Sequence, residues 1–81
     1  MFGGIPMQTS LDAVRPGKQA VVIQVNTEDA LRRRLRDFGL MPGTRVSCRY
    51  RSPWGDVTAL SFRGAVLAVR TKDLRKILVE C

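Results

Sequence analysis

The spacing of apolar residues along this chain changes from every second position to every third or fourth and back, and the changes divide it into elements. From Gln19 to Val25 both parities are apolar, with Val21, Ile23 and Val25 on one face and Ala20 and Val22 on the other. That pattern predicts a strand covered on both sides. Leu31, Leu35 and Phe38 then fall at i, i+4 and i+7, while Arg32, Arg33, Arg34 and Arg36 fill much of the remaining circumference. The spacing predicts a one-sided helix with those three apolar residues turned to the core. Asn26 or Thr27 is its expected cap, and Glu28 and Asp29 complement the positive end of its dipole. Gly39 supplies a left-handed stop, and Pro42-Gly43 prevents any continuation.

Strict alternation follows from Arg45 to Arg51. Val46, Cys48 and Tyr50 have the parity of a buried face, and Arg45, Ser47, Arg49 and Arg51 form a basic outer strip. Ser52-Pro53-Trp54-Gly55-Asp56 reads as a loop, Val57 to Phe62 as a strand, Arg63-Gly64 as a tight hairpin turn and Ala65 to Arg70 as the returning strand. Thr71 to Lys76 resembles a short helical turn capped by Thr71, and Ile77 to Glu80 closes the chain as a further strand. Before all of these, Ser10 is positioned to cap a single helical turn, and Arg15-Pro16-Gly17-Lys18 turns the chain into the first strand. Residues 1 to 9 have two glycines and a proline without periodicity, so they read as a flexible lead-in to one domain at 10–81, although Phe2, Ile5 and Met7 could cover an edge of the core. The expected fold is mainly β: a small, partly closed barrel of about five antiparallel strands, with one short helix inserted after the first.

Composition narrows the function. Eighty-one residues suffice for one thin-cored domain. No apolar run approaches a membrane span, and the start lacks the features of a secretory signal, so a cytoplasmic location is expected. Fourteen basic against seven acidic residues give a net charge of +7, which favours an acidic or phosphate-bearing partner. Histidine is absent, and the carboxylates sit mostly beside arginines or at helix starts, so the chain does not read as an enzyme. No metal-ligand spacing occurs and no cofactor is expected. Cys81, beside the terminal carboxylate, and Cys48 are the weak candidates for a transition-metal ligand. No phosphate-binding loop is present. A basic barrel can hold single-stranded nucleic acid, but only Tyr50 and Trp54 could stack on bases, and Tyr50 has the parity of the core. Trp54, between a proline and a glycine in a connecting loop, reads either as an interface anchor or as a cap on one end of the barrel.

The succession Leu35-Arg-Asp-Phe-Gly-Leu-Met-Pro-Gly-Thr44, Ser52-Pro-Trp-Gly-Asp56, Ala68-Val-Arg-Thr-Lys-Asp-Leu74 and Ile77-Leu-Val-Glu80 resembles the FeoA family of small ferrous iron transport proteins over residues 10 to 80. Within that family's pattern Leu31, Leu35, Phe38, Gly39, Pro42, Gly43 and Gly55 are structural. Trp54 stands where the family usually has an aliphatic residue. The resemblance implies an SH3-like barrel that acts as a non-enzymatic, cytoplasmic accessory of FeoB, the membrane ferrous iron transporter. On that footing Pro53, Trp54, Asp56, Arg32, Arg33, Arg36 and Arg49 are the expected contacts with FeoB's cytoplasmic part. A nucleic-acid barrel and a transition-metal-binding module are the alternatives, and self-association is left open.

Overall fold

The computed structural model describes residues 7–81. Six strands form one antiparallel sheet: β1 (Gln8–Ser10), β2 (Gln19–Val25), β3 (Arg45–Arg51), β4 (Val57–Phe62), β5 (Ala65–Arg70) and β6 (Ile77–Glu80). Their order across the sheet is β1-β6-β2-β3-β4-β5. A 3-10 turn at Leu11–Ala13 and two helices, α1 (Asp29–Phe38) and α2 (Thr71–Leu74), complete the fold. The core is built from Leu11, Val22, Leu35, Leu40, Val46, Leu60, Val69, Leu74, Ile77 and Val79, so every element after β1 contributes to it.

The five strands expected from alternation keep their bounds, and a sixth precedes them. Of the residues read as lead-in, Gln8 and Thr9 pair with Glu80 and Val79. Met7 and Cys81 exchange both backbone hydrogen bonds, at 3.3 and 3.0 Å. Residues 1–6, with Phe2 and Ile5, lie outside the described residues. Ser10 ends β1, and its hydroxyl bonds the Asp12 carboxylate instead of capping a backbone amide.

Two bulges reverse the parity that uniform alternation suggests. In β2 the register with β6 shifts at Ile23, so Val25 joins Ala20 and Val22 in the core while Val21 and Ile23 are half-buried. In β3 the register with β4 shifts at Arg49. An extra residue on one strand turns everything after it to the opposite face. Tyr50, expected inside, is therefore 61% exposed. Arg51, expected on the outer strip, turns inward instead, its guanidinium donating to Thr58 Oγ1 at 3.0 Å and to the carbonyls of Asp12 at 3.0 Å and Val14 at 3.2 Å.

The helix starts one residue later than expected. Glu28 is the N-cap residue and makes no side-chain cap bond, Asn26 is exposed, and Thr27 is buried with its Oγ1 unpaired among the described residues. Asp29 instead pairs with Arg32 at 2.7 Å. At the other end Gly39 has φ +100°; its amide donates to the Arg36 carbonyl and the Leu40 amide to that of Leu35. These two bonds make a Schellman closure, with Leu35 and Leu40 as its buried apolar pair. Thr44 secures the turn that follows by donating to the Gly39 carbonyl at 2.8 Å.

Only Leu35 of the helical stripe is fully buried. Leu31 is half-buried and Phe38 is 50% exposed, although both were expected in the core. The stripe has the right direction, but α1 lies at the margin of the barrel beside the end strand β5, and a groove separates the two. Thr71, read as a cap, is the first residue of α2; Arg70 is the N-cap, and the Thr71 hydroxyl shares a 2.9 Å hydrogen bond with that of Thr58.

Candidate functional site

The Trp54 loop is the most unusual surface of the molecule. Trp54 is 91% exposed, more than any other large apolar residue described. Its backbone is nevertheless tightly organised. Ser52 and Val57 pair across the loop base at 2.8 Å, and the Gly55 amide donates to the Ser52 carbonyl at 2.8 Å, which closes a turn over Pro53-Trp54. The Ser52 hydroxyl accepts from the Val57 amide at 3.1 Å and donates to the Asp56 carboxylate at 2.6 Å. The Asp56 carbonyl then accepts from the Thr71 amide at 2.9 Å, which ties the loop to α2. Asp56 is thus a strut of the loop, and Gly55, at φ +76°, adopts a conformation that a side chain would strain.

These bonds have an electrostatic signature. The Ser52 hydroxyl, then the loop amides, hold the Asp56 carboxyl below its ordinary value of 3.8. A carboxyl depressed in the folded state contributes order above its unfolded pKa and loses it as pH falls through the folded one. Ser52→Ala is expected to return the Asp56 titration towards 3.8 in an NMR-monitored pH series, with chemical shifts of the loop amides following it.

Beneath the loop lies a polar network. Arg51 bridges the 3-10 turn to Thr58, and Thr58 continues to Thr71. Trp54 is held out from the surface by a loop whose base is fixed on three sides. Next to it, Arg70, Lys72 and Arg75 line an open basic cleft with Gly55 and Asp56. Arg70 ends β5 while Lys72 and Arg75 belong to the α2 segment, and nothing in their linear order marks them as sharing a surface with the loop.

The arginines singled out from the sequence are dispersed. Arg32 and Arg36 line a depression with Met41 and Pro42. Arg49, on the β3 bulge, borders a different one with Gly17 and Ser47. Arg33 is exposed on α1 and lines neither. None of the four shares the cleft beside Trp54, while Pro53 is exposed in the loop itself.

The cysteines occupy opposite environments. Cys48 is buried in β3, and burial pushes its thiol above the ordinary value of 9.0 against the smaller pull of the Arg51 charge. Cys81 is exposed, and both are free thiols. Among the described residues no group of three or more histidine, cysteine or acidic side chains converges to hold a metal ion, and no helix is long and apolar enough to cross a membrane.

The fold and its helix-to-turn segment find close counterparts. A model of the FeoA domain matches residues 9–81. The chain belongs to the FeoA family. Among solved structures, this FeoA chain is similar to a FeoA protein from Chlorobium tepidum, with 32% identity over 88% of this chain and 68% of the other and a TM-score of 0.85. A FeoA-like protein from Clostridium acetobutylicum has 31% identity over 93% and 87% and a TM-score of 0.79. A zinc-complexed FeoA from Stenotrophomonas maltophilia, characterised as an SH3 domain protein and a candidate ferrous iron transport activating factor, has 25% identity over 88% of both chains and a TM-score of 0.76. A comparison with curated proteins returned no match. The barrel is thus SH3-like, with six strands among the described residues where about five are expected from the sequence.

Proposed function

We propose that this FeoA protein is a non-enzymatic accessory of ferrous iron uptake that docks through its Trp54 loop on the cytoplasmic part of a FeoB-type membrane transporter and modulates it. Membership of an iron transport family supports the pathway. The observation that carries the docking surface is a tryptophan 91% exposed on a loop already ordered by its own hydrogen bonds. An aromatic anchor held in place before binding loses little freedom when it enters a partner's pocket. The Arg70, Lys72 and Arg75 cleft lies in the same surface and suits acidic groups around that pocket. Arg32, Arg33, Arg36 and Arg49, spread over other faces, act at longer range by raising the encounter rate with an acidic partner.

Calorimetry with a purified FeoB cytoplasmic domain tests this. Trp54→Ala is expected to weaken binding by at least about tenfold, as loss of an interface anchor does, with the Tm unchanged. Equal affinity for wild type and variant would sink the assignment. One finding favours a second reading: the outward Tyr50 beside Arg49 gives single-stranded nucleic acid a stacking residue that alternation had placed inside. A salt-sensitive affinity for an oligothymidine that falls in Tyr50→Ala would support it, and no binding at low salt removes it.

A further inference from the structure

Among the described residues β5 ends the sheet, and β4 is its one neighbour. The two strands are joined by the two-residue turn Arg63-Gly64, with φ of +51° and +79°, and Phe62 pairs with Ala65. In an antiparallel hairpin of this kind the residues flanking the turn exchange both hydrogen bonds, and pairing then alternates. Ala65, Leu67 and Val69 accordingly bond to β4. Val66 and Ala68 turn their amide and carbonyl groups to the free edge, while the carbonyl of Arg70, the N-cap of α2, is taken by the helix.

Natural sheets usually blunt such an edge with a proline, a bulge, an inward charge or a very short strand. Within β5 none of these is present; its one charge is Arg70 at the end of the strand, and α1 stands beside the edge across a groove. The β4–β5 register runs through six pairs without a shift, unlike the bulged ladders of β2 and β3, and the first five residues of β5 are Ala-Val-Leu-Ala-Val. Val66 is 66% exposed. Beside this strand the groove of about 200 Å³ has Leu31 and Phe38 of α1 on one wall and Leu67 on the other, with Arg34 and Arg70 at its rim and Asp73 as its one acidic lining residue.

We propose that the space between α1 and β5 is a strand-addition site for an extended acidic segment of a partner protein. Its backbone would pair with Val66 and Ala68, alternate apolar side chains would fill the groove against Leu31, Phe38 and Leu67, and flanking Asp or Glu would meet the side chains of Arg34 and Arg70. Backbone pairing supplies affinity in such complexes, and the side-chain pockets supply selectivity. A second copy of this chain is the less suitable occupant. Each copy has a net charge of +7 and would bring its own Arg34 and Arg70 to the shared edge. The proposal does not depend on the Trp54 loop.

The test uses the full 15N-labelled chain and a synthetic heptapeptide alternating Val with Glu and Asp, beside a control in which the acidic residues are lysine. Slowed hydrogen exchange at the Val66 and Ala68 amides, with at least tenfold tighter binding of the acidic peptide, is the expected result. Ala68→Pro removes an edge donor that β4 does not use and should abolish the protection. Arg34→Glu, on the exposed face of α1, should weaken binding about tenfold or more without disturbing the strand, which keeps the test decisive if the proline variant fails to fold. Equal binding of the lysine peptide, no binding up to millimolar concentration, or protection elsewhere in the chain would each overturn the proposal. So would a concentration-dependent dimer that Ala68→Pro dissolves.

Discussion

Arg51→Ala is expected to lower the stability of this domain by about 2–4 kcal/mol, while Arg49→Ala, two residues away, changes it by less than about 0.5 kcal/mol. Arg51 is half-buried and donates to the carbonyls of Asp12, in the 3-10 turn, and Val14, just after it, and to Thr58. Truncation leaves those acceptors facing each other across a gap, and unpaired buried groups lose their full solvation. Arg49 sits exposed on the bulge, and its side chain makes no hydrogen bond among the described residues. For a domain of this size a kilocalorie corresponds to roughly 4–8 °C, so calorimetric Tm values should separate the two variants by about 10 °C or more. Arg51→Lys should recover only part of the loss, since one ammonium cannot span three acceptors in a plane as a guanidinium does. Similar Tm values for the two alanine variants would mean that the β3 bulge does not reverse the strand as described.

The second large effect concerns the helix. Leu35→Ala should cost about 2–4 kcal/mol, because a side chain 1% exposed in a packed core leaves a cavity that the surroundings only partly fill. It also removes one half of the apolar pair in the Schellman closure, so α1 should fray at its C-terminal end. Phe38→Ala should cost about 1 kcal/mol or less, since half of that ring already faces solvent. Chemical denaturation of both variants decides the matter. A larger loss for Phe38 than for Leu35 would place the helical stripe in the core as its spacing suggests, and would close the groove beside β5.

The strands whose bounds were legible are those in which local pattern and long-range pairing agree. Alternation in β3, the two-residue turn between β4 and β5, and the Gly39 stop each depend on a few neighbouring residues, so the chain displays them directly. What the pattern cannot display is a relation between distant segments. Gln-Thr-Ser of β1 has no strand signature; it is a strand because β6 lies beside it. The Arg49 bulge leaves the alternation from Arg45 to Arg51 intact, so the reversal of Tyr50 and Arg51 is visible only once Cys48 and Tyr50 are seen to pair with consecutive residues, Leu60 and Ala59. The site followed the same division. Trp54 could be singled out from its proline and glycine neighbours, whereas its basic companions Arg70, Lys72 and Arg75 come together through packing. The arginines that were conspicuous in sequence, clustered on α1, are distributed over other surfaces.

The mutual hydrogen bonds of Met7 and Cys81 make the backbone almost a closed circuit. A short glycine-serine tether between positions 7 and 81 should therefore yield a circular permutant, with new ends opened at Arg63-Gly64, that retains the same barrel. Position 81 follows β6, which β2, β3 and β4 separate from β5 in the sheet order, so a reporter or affinity handle fused there is attached to neither strand of the β4–β5 hairpin.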